Sequence, residues 1–162
     1  MAACVEAAAG QTGRMSGWAD FEAAAPELAA FGAARLMIPP AYLATVRSGG
    51  APRVHPVTPI IGGGRLFVFM EPTSPKVRDL RDRRYYALHN SVPDTHGSGG
   101  EFYVRGEGAA ADDAESRALA TASSSYTPAD RYVLFELSVS EARGNGYGDV
   151  VLPERAHWVA EP

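Results

Sequence analysis

The segment 52–61 constrains the fold more than any other part of the sequence. Its residues favour an extended strand, yet three of them are prolines, Pro52, Pro56 and Pro59. Because proline has no backbone N–H, it cannot donate a hydrogen bond to a neighbouring strand, and such a strand is confined to the edge of a sheet or bends away from it. The sequence therefore predicts a β structure in which these residues form an edge.

Further strands and short helices are predicted on both sides of this segment. Strands are expected at residues 42–47, 52–61, 66–70, 85–90, 101–107 and 131–143, and a last one contains Trp158 and Val159. The first three are joined by glycine-rich turns and predict a three-stranded meander. Helices are expected from the N-cap Ser16, from Pro26, over 74–84, and from Asp112 or Asp113 to about Thr121. This order predicts a mainly β (α+β) fold, a small barrel of antiparallel strands with short flanking helices.

Length and composition exclude several classes of protein. With 162 residues the chain suffices for one domain, which we expect to span 16–162. No apolar run approaches the roughly 18 residues of a membrane span. The net charge of −4 and a pI near 5.5 argue against a nucleic-acid binder that relies on overall positive charge. The single cysteine, Cys4, excludes an internal disulfide framework and a cysteine-based zinc site.

The N-terminal residues and the histidines add two expectations. Residues 1–15 are small and polar, without the basic and apolar regions of a signal peptide, so we expect a disordered tail and a cytoplasmic protein. None of the four histidines, His55, His89, His96 and His157, has a partner at metal-ligand spacing, and no metal site is predicted.

The most informative local motif is Thr73-Ser74-Pro75-Lys76-Val77-Arg78. Ser74 is a suitable N-cap and Pro75 suits the first helical position, so Lys76 would lie on the first turn. Lys76 is also the only lysine beside 14 arginines, and residues 76–84 hold five cations and two acids. A helix N-terminus binds anions, and this combination suits phosphate. The alternative is an ordinary capped surface helix in which Asp79 and Asp82 pair with neighbouring arginines.

A second candidate site lies on the proline-rich strand. Arg53 and His55 are two residues apart, so both would point to the same face of an edge strand and form a platform for a ligand. The alternative is a strand with two solvent-facing polar residues. No nucleophile elbow, P-loop or dinucleotide-binding motif occurs, and no Ser/His/Asp set can be assembled, so no catalytic residue is predicted. The aromatic residues Tyr85, Tyr86 and Trp158 are interpreted as core or interface residues.

The order of these elements matches a known family. The matching segments are the strand Tyr42–Arg47, Pro52–Val57, Leu66–Met70, the helix Ser74–Asp82, Tyr85–His89, Val104–Ala109 and Arg131–Leu137. In this order and at these spacings the chain resembles the pyridoxamine 5′-phosphate oxidase-like family, the flavin-binding split barrels. The resemblance runs from about Tyr42 to Val139.

The resemblance implies a homodimer with FMN at the subunit interface. It also implies an oxidoreductase in which the flavin transfers hydride to or from an unknown small organic substrate. In the family, the strand that begins with Arg lines the flavin ring and ribityl chain, which carries over to Arg53, Val54, His55 and Pro56. The end of the following strand touches the ring, which carries over to Phe69 and Met70. The Ser-x-Lys after it holds the phosphate, which carries over to Ser74 and Lys76.

Two departures from the family pattern leave alternatives open. The true oxidases continue past the barrel with an Arg- and His-bearing segment for the substrate phosphate, whereas this sequence stops at Pro162, so vitamin B6 oxidation is not expected. Where the oxidases favour a polar amide facing the flavin, this chain has Glu101. An acid near the ring disfavours an anionic reduced flavin. The alternatives are therefore a deazaflavin-dependent reductase and a non-catalytic flavin- or haem-binding protein on the same fold.

Overall fold

The computed structural model describes residues 16–161, and the predicted N-terminal tail, residues 1–15 with Cys4, lies outside the described residues. This part of the chain contains four helices and nine strands. The helices are α1 (Trp18–Ala24), α2 (Pro26–Leu36), α3 (Pro75–Arg83) and α4 (Ala114–Ser123). The strands are β1 (Ala41–Val46), β2 (Pro52–Val57), β3 (Ile60–Gly62), β4 (Arg65–Met70), β5 (Tyr85–Asn90), β6 (Glu101–Ala110), β7 (Val133–Leu137), β8 (Glu141–Asn145) and β9 (His157–Val159). No helix within 16–161 is long and apolar enough to cross a membrane.

The strands form one antiparallel sheet that curls into a half barrel. The main order is β2-β1-β5-β6-β7-β4-β3, with β8 paired to β6 and β9 paired to β8. The ten-residue strand β6 is the centre of the curl, because residues 101–105 pair with β8 whereas residues 108–110 pair with β7. The predicted mainly β barrel with short flanking helices is confirmed.

The predicted edge position of β2 is confirmed, because β2 pairs with β1 alone among the described strands. The predicted continuous strand over 52–61 is wrong: it is two strands, of which β2 pairs with β1 and β3 with β4, so β2 and β4 are not neighbours and the predicted meander is interrupted. The prolines explain the break: Pro59 lies between β2 and β3, and Pro52 and Pro56 cannot donate from β2 to a second neighbouring strand. The predicted N-cap is also wrong by one residue: Gly17, not Ser16, precedes α1, and the Asp20 side chain accepts from its N–H.

The predicted strand over 131–143 is two strands, β7 and β8, which pair in succession with the same edge of β6. Between them the N–H of Ser138 donates to Glu107 and that of Ser140 to Arg105, while Val139 donates to Ser16. The chain passes so close to β6 here that a Cβ atom on Gly106 would lie 2.0 Å from the Ser138 carbonyl oxygen. A residue with a side chain therefore does not fit at position 106.

The main core lies inside the curl and is covered by α1 and α2. Trp18, Phe21, Leu28 and Leu36 of these helices are buried, and the ring of Trp158 packs 5.1 Å from that of Phe21. The interpretation of Trp158 as a core aromatic is thereby confirmed.

A second, smaller core lies under α4, so β4 is covered on both faces. Leu66, Val68 and Met70 belong to the main core, whereas Phe67 and Phe69 belong to the smaller one. This two-sided burial explains why β4 is apolar at five successive positions instead of alternating.

Gly106→Ala is expected to destabilise the fold. Overpacking of this kind typically costs about 1–3 kcal/mol in the free energy of unfolding, and the added methyl group meets backbone, which cannot rotate away. Urea denaturation measures the effect. Gly49→Ala is the matched control, because a Cβ atom there meets nothing within 4 Å. Equal stabilities of the two variants would contradict the close crossing of β6 by the segment after β7.

Candidate functional site

The N-terminus of α3 is anchored by two apolar residues and carries the only lysine. Val77 and Leu80 are buried and fix the helix against the sheet. Ser74 occupies the predicted N-cap position, but its hydroxyl makes no capping bond and instead accepts from Lys76 Nζ at 2.9 Å. The Lys76 ammonium and the Ser74 hydroxyl therefore lie together at the N-terminal end of the helix, where Pro75 has no N–H and the N–H of Val77 donates to the Ser74 carbonyl oxygen at 3.0 Å.

Lys76 is a half-buried cation without a counter-charge. The ion pairs within residues 16–161 do not include it. Burial lowers the pKa of its ammonium group, because desolvation penalises the charged form. An anion bound at this end of α3 would compensate that cost.

The strand β2 brings Arg53 to the same place. Arg53 and His55 lie on one face of β2, level with Thr45 and Leu43 of β1. Arg53 Nε donates to Asp79 Oδ2 of α3 at 2.9 Å, which ties the edge strand to the helix. The predicted residues Arg53, His55, Ser74 and Lys76 thus form one group, which we call the cation cluster.

Asp79 and Thr45 belong to this group, although the sequence did not single them out for it. Asp79 is only 4% exposed, and its Oδ2 accepts from both Thr45 Oγ1 at 2.8 Å and Arg53 Nε. The alternative interpretation of α3 expected Asp79 to pair with arginines nearby, whereas its partner lies 26 residues away on β2. One signal was present: Asp79 follows Lys76 by three residues, which places both on one side of a helix.

His55 carries an unsatisfied polar atom in the cation cluster. Its Nε2 is buried and has no hydrogen-bond partner within the described residues. Burial lowers the pKa of His55, the positive charges of Lys76 and Arg53 lower it further, and Asp79 acts in the opposite direction. His55 thus lies beside two cations that disfavour its protonation, and one of its ring nitrogens is buried without a partner among the described residues.

The other four predicted contact residues point elsewhere. Val54 and Pro56 alternate with Arg53 and His55, so they lie on the outer face of the sheet, where Val54 is 59% exposed. Phe69 and Met70 lie on opposite faces of β4 and are 7% and 2% exposed, within the two cores. Their contact with a flavin ring remains a prediction.

Glu101 is distant from the cation cluster within one chain. It begins β6, and its carboxylate accepts from Tyr147 Oη at 3.2 Å and Asn145 Nδ2 at 3.4 Å. Arg53 pairs across the sheet with Thr45, Thr45 with Tyr86, and Tyr86 with Gly106. The residue of β6 level with Arg53 is therefore Gly106, and Glu101 lies five residues along β6 from that position.

Two open depressions lie outside the cation cluster. One open depression of about 450 Å³ lies beside the α1–α2 junction and Arg155, and another of about 400 Å³ lies between His96 and Tyr147. Within residues 16–161 no three His, Cys, Asp or Glu residues are grouped so that they could hold a metal ion. Neither depression is lined by a residue of the cation cluster.

Comparison with known proteins shows similarity in structure but not in sequence. No protein-family model matches the chain, and no curated protein matches it at a significant level. The heme binding protein from Mycobacterium smegmatis has a TM-score of 0.61 and 19% identity, over 76% of this chain and 55% of that one. This chain therefore spans little more than half the length of that protein.

Two further structures are matched over most of their length. HutZ, the heme storage protein from Vibrio cholerae, has a TM-score of 0.58 and 16% identity, over 76% of this chain and 95% of that one. A NimC/NimA family protein from Clostridium acetobutylicum has a TM-score of 0.57 and 18% identity, over 78% and 89%. These likenesses confirm the predicted split barrel as the fold of the chain.

His55 is expected to titrate below 6.5, the ordinary histidine pKa. Since the unfolded chain then binds more protons than the folded one below about pH 6.5, the stability contributed by neutral His55 is complete above that pH and decreases as the pH falls towards the folded pKa. Two-dimensional NMR of the imidazole measures the pKa, and urea denaturation of His55→Asn should show a weaker loss of stability on acidification. His96→Asn controls for the removal of an imidazole at an exposed position. A His55 pKa above 6.5 would contradict a desolvated ring facing two cations.

Proposed function

We propose that the protein is a cytoplasmic FMN-binding oxidoreductase that transfers hydride between the flavin and a small organic substrate. The observation that carries this proposal is the cation cluster: Lys76 contacts Ser74 at the N-terminus of α3, Arg53 contacts Asp79 of the same helix, and the positive charges of both lower the pKa of His55. The identity of the substrate is not part of the proposal.

The residues of the cation cluster fit a phosphate group. Within residues 16–161 Lys76 lacks a counter-charge and His55 Nε2 lacks a partner, and phosphate oxygens would supply both. The dipole of the nine-residue helix α3 favours a negative charge at the same point. Ser74, whose oxygen accepts from Lys76, keeps its own O–H to donate to an anion.

The roles of the chain in the proposed reaction are binding and orientation. When bound, FMN supplies the hydride chemistry. Lys76, Ser74 and Arg53 would hold the phosphate, and the polar edge of β2 would direct the rest of the molecule along the sheet. We assign no side chain as catalytic.

We further propose that the protein acts as a homodimer. The outer face of β2, β1 and β5 exposes an apolar surface formed by Val54, Tyr42 and Tyr85, which are 59%, 43% and 61% exposed, together with Pro56. Exposed apolar patches of this kind are typical of protein interfaces. A second copy on this face would bring Val54 and Pro56, the residues of β2 that face away from the cation cluster, into the interface.

A second candidate is a non-catalytic haem-binding protein. Two of the similar structures are named for heme binding and heme storage, and haem also carries anionic groups that the cation cluster suits. The third possibility, a deazaflavin coenzyme, carries a phosphate like FMN and is distinguished by its ring.

The spectrum and mass of whatever co-purifies with the protein test the proposed function. We expect FMN in the preparation, or quenching of FMN fluorescence when the purified protein is added, followed by reoxidation of the reduced bound flavin by an organic acceptor. Parallel titrations with haem and a deazaflavin coenzyme separate the alternatives. If FMN neither co-purifies nor is quenched, the proposal is wrong. In that case, a Soret band on addition of haem would favour the second candidate. If instead FMN binds tightly but is not turned over, flavin storage is favoured.

Lys76→Ala is expected to weaken FMN binding by roughly ten- to a hundredfold, because a charge-assisted hydrogen bond typically contributes about 1.5–3 kcal/mol. The thermal stability of the ligand-free protein should change little, since the lysine is paired only with Ser74. Arg81→Ala, which removes an exposed cation from the last turn of the same helix, is the control. Equal losses of affinity and of stability in Lys76→Ala would indicate a structural role for the lysine.

A further inference from the structure

We infer that Asp79, supported by Thr45, is a positioning residue that orients Arg53 towards the phosphate. The inference rests on the proposed function in that it takes a phosphate to be the group bound at the cation cluster. It adds two residues, a buried carboxylate and a buried hydroxyl, that are not themselves expected to touch the ligand.

The first step of the argument is the direction from which Arg53 is held. The bond to Asp79 Oδ2 uses Nε, at 2.9 Å, and the two terminal amino groups of the guanidinium have no acceptor within residues 16–161. A guanidinium is rigid and planar, so fixing Nε also fixes the plane and the direction of the remaining four N–H donors. These are the donors that form paired hydrogen bonds with phosphate oxygens.

The second step is the fixation of Asp79 itself. It is 4% exposed, and the oxygen that accepts from Arg53 also accepts from the buried Thr45 hydroxyl at 2.8 Å. Thr45 lies on β1 directly opposite Arg53 on β2, and Asp79 lies on α3. Three elements thus determine where the Arg53 side chain points, although Arg53 stands on an edge strand and would otherwise lose considerable rotamer freedom on binding a ligand.

The third step is that attachment of β2 to α3 does not by itself require charges. A buried ion pair is often no more stabilising than apolar residues of the same volume, because both ions lose their hydration. Here the pair lies on the side of α3 that also carries Lys76, three residues before Asp79, and beside the unsatisfied Nε2 of His55. A positioning role explains why the Arg53–Asp79 pair lies within the cation cluster. Attachment of β2 to α3 alone does not explain that location.

Asp79→Asn should therefore weaken phosphate binding about as much as Arg53→Ala does, by roughly ten- to a hundredfold. The double variant should be little weaker than Arg53→Ala alone, because Asp79 acts through Arg53. Asp82→Asn, at an exposed acid one turn further along α3, is the matched control and should retain wild-type affinity. If Asp79→Asn does not fold, Thr45→Val replaces it, with a loss of several-fold.

Two probes isolate the phosphate group from the rest of the ligand. The first is inorganic phosphate, followed by the rise in Tm at constant ionic strength with chloride as reference; the second is the ratio of the Kd values for riboflavin and FMN, which isolates the phosphate group. A purely structural Asp79 would lower the Tm of the ligand-free protein and leave both readouts unchanged in the folded variant. Unchanged readouts in a folded Asp79→Asn variant overturn the inference. If Asp79→Asn does not fold, unchanged phosphate affinity in Thr45→Val overturns it.

The same probes separate failure of the inference from failure of the proposed function. If the wild type binds phosphate in an Asp79-dependent way but binds no flavin, the proposed function fails and the positioning role stands. If FMN binds and Asp79→Asn leaves the riboflavin-to-FMN ratio unchanged, the positioning role fails and the function stands. If neither phosphate nor FMN binds to the wild type, both are wrong.

Discussion

The arrangement of the cation cluster depends on one carboxylate, that of Asp79. Its Oδ2 accepts hydrogen bonds from the Thr45 hydroxyl of β1 and from the Arg53 guanidinium of the edge strand β2. Asp79 itself belongs to α3, the helix that carries Lys76. Without it the edge strand and the helix would still pack against the sheet, but the two cations would have no fixed relation. A negative charge thus organises a site whose purpose we take to be the binding of negative charge. The cost of burying it is met by its two donors.

The prolines of β2 complement this constraint. They prevent a second ladder at the edge of the sheet, so the side of β2 away from β1 stays free within the described chain. A site beside a doubly paired strand would be walled off by the next backbone. At an edge, by contrast, a ligand or a second copy of the chain can approach Arg53 and His55 from the side. The feature that most restricts the fold is therefore also what leaves the proposed site accessible.

The fold and half of the candidate site could be predicted from local sequence. The edge position of β2, the start of α3 at Pro75 and the bounds of β5 follow from proline and periodicity rules, and they hold in the structure. The break between β7 and β8 could not be predicted, because apolar and polar residues alternate over 131–143 and the segment contains no glycine or proline. The bend is imposed by the partner strand β6, in which Gly106 lets the chain come close.

Within the site, the grouping of Arg53, His55, Ser74 and Lys76 was expected, whereas the parts of Asp79 and Thr45 were not. Both are polar residues buried by contacts that are 26 to 34 residues apart in sequence, and no local pattern distinguishes a buried aspartate from a solvated one on a helix with five cations nearby. The same limit applies to Phe69 and Met70. As neighbours on a strand they face opposite ways, and only the position of α4 shows that both faces are covered.

Successive residues of β2 belong to different surfaces. Arg53 and His55 face the helix and the cluster, while Val54 and Pro56 face outward with the exposed tyrosines of β1 and β5. Odd-numbered positions of this strand can therefore change with the chemistry of the ligand, and even-numbered positions with the surface that covers the sheet, each without altering the other set of side chains. Divergent relatives could on this basis exchange ligands while keeping their mode of association, or exchange partners while keeping their ligand, through single substitutions one residue apart.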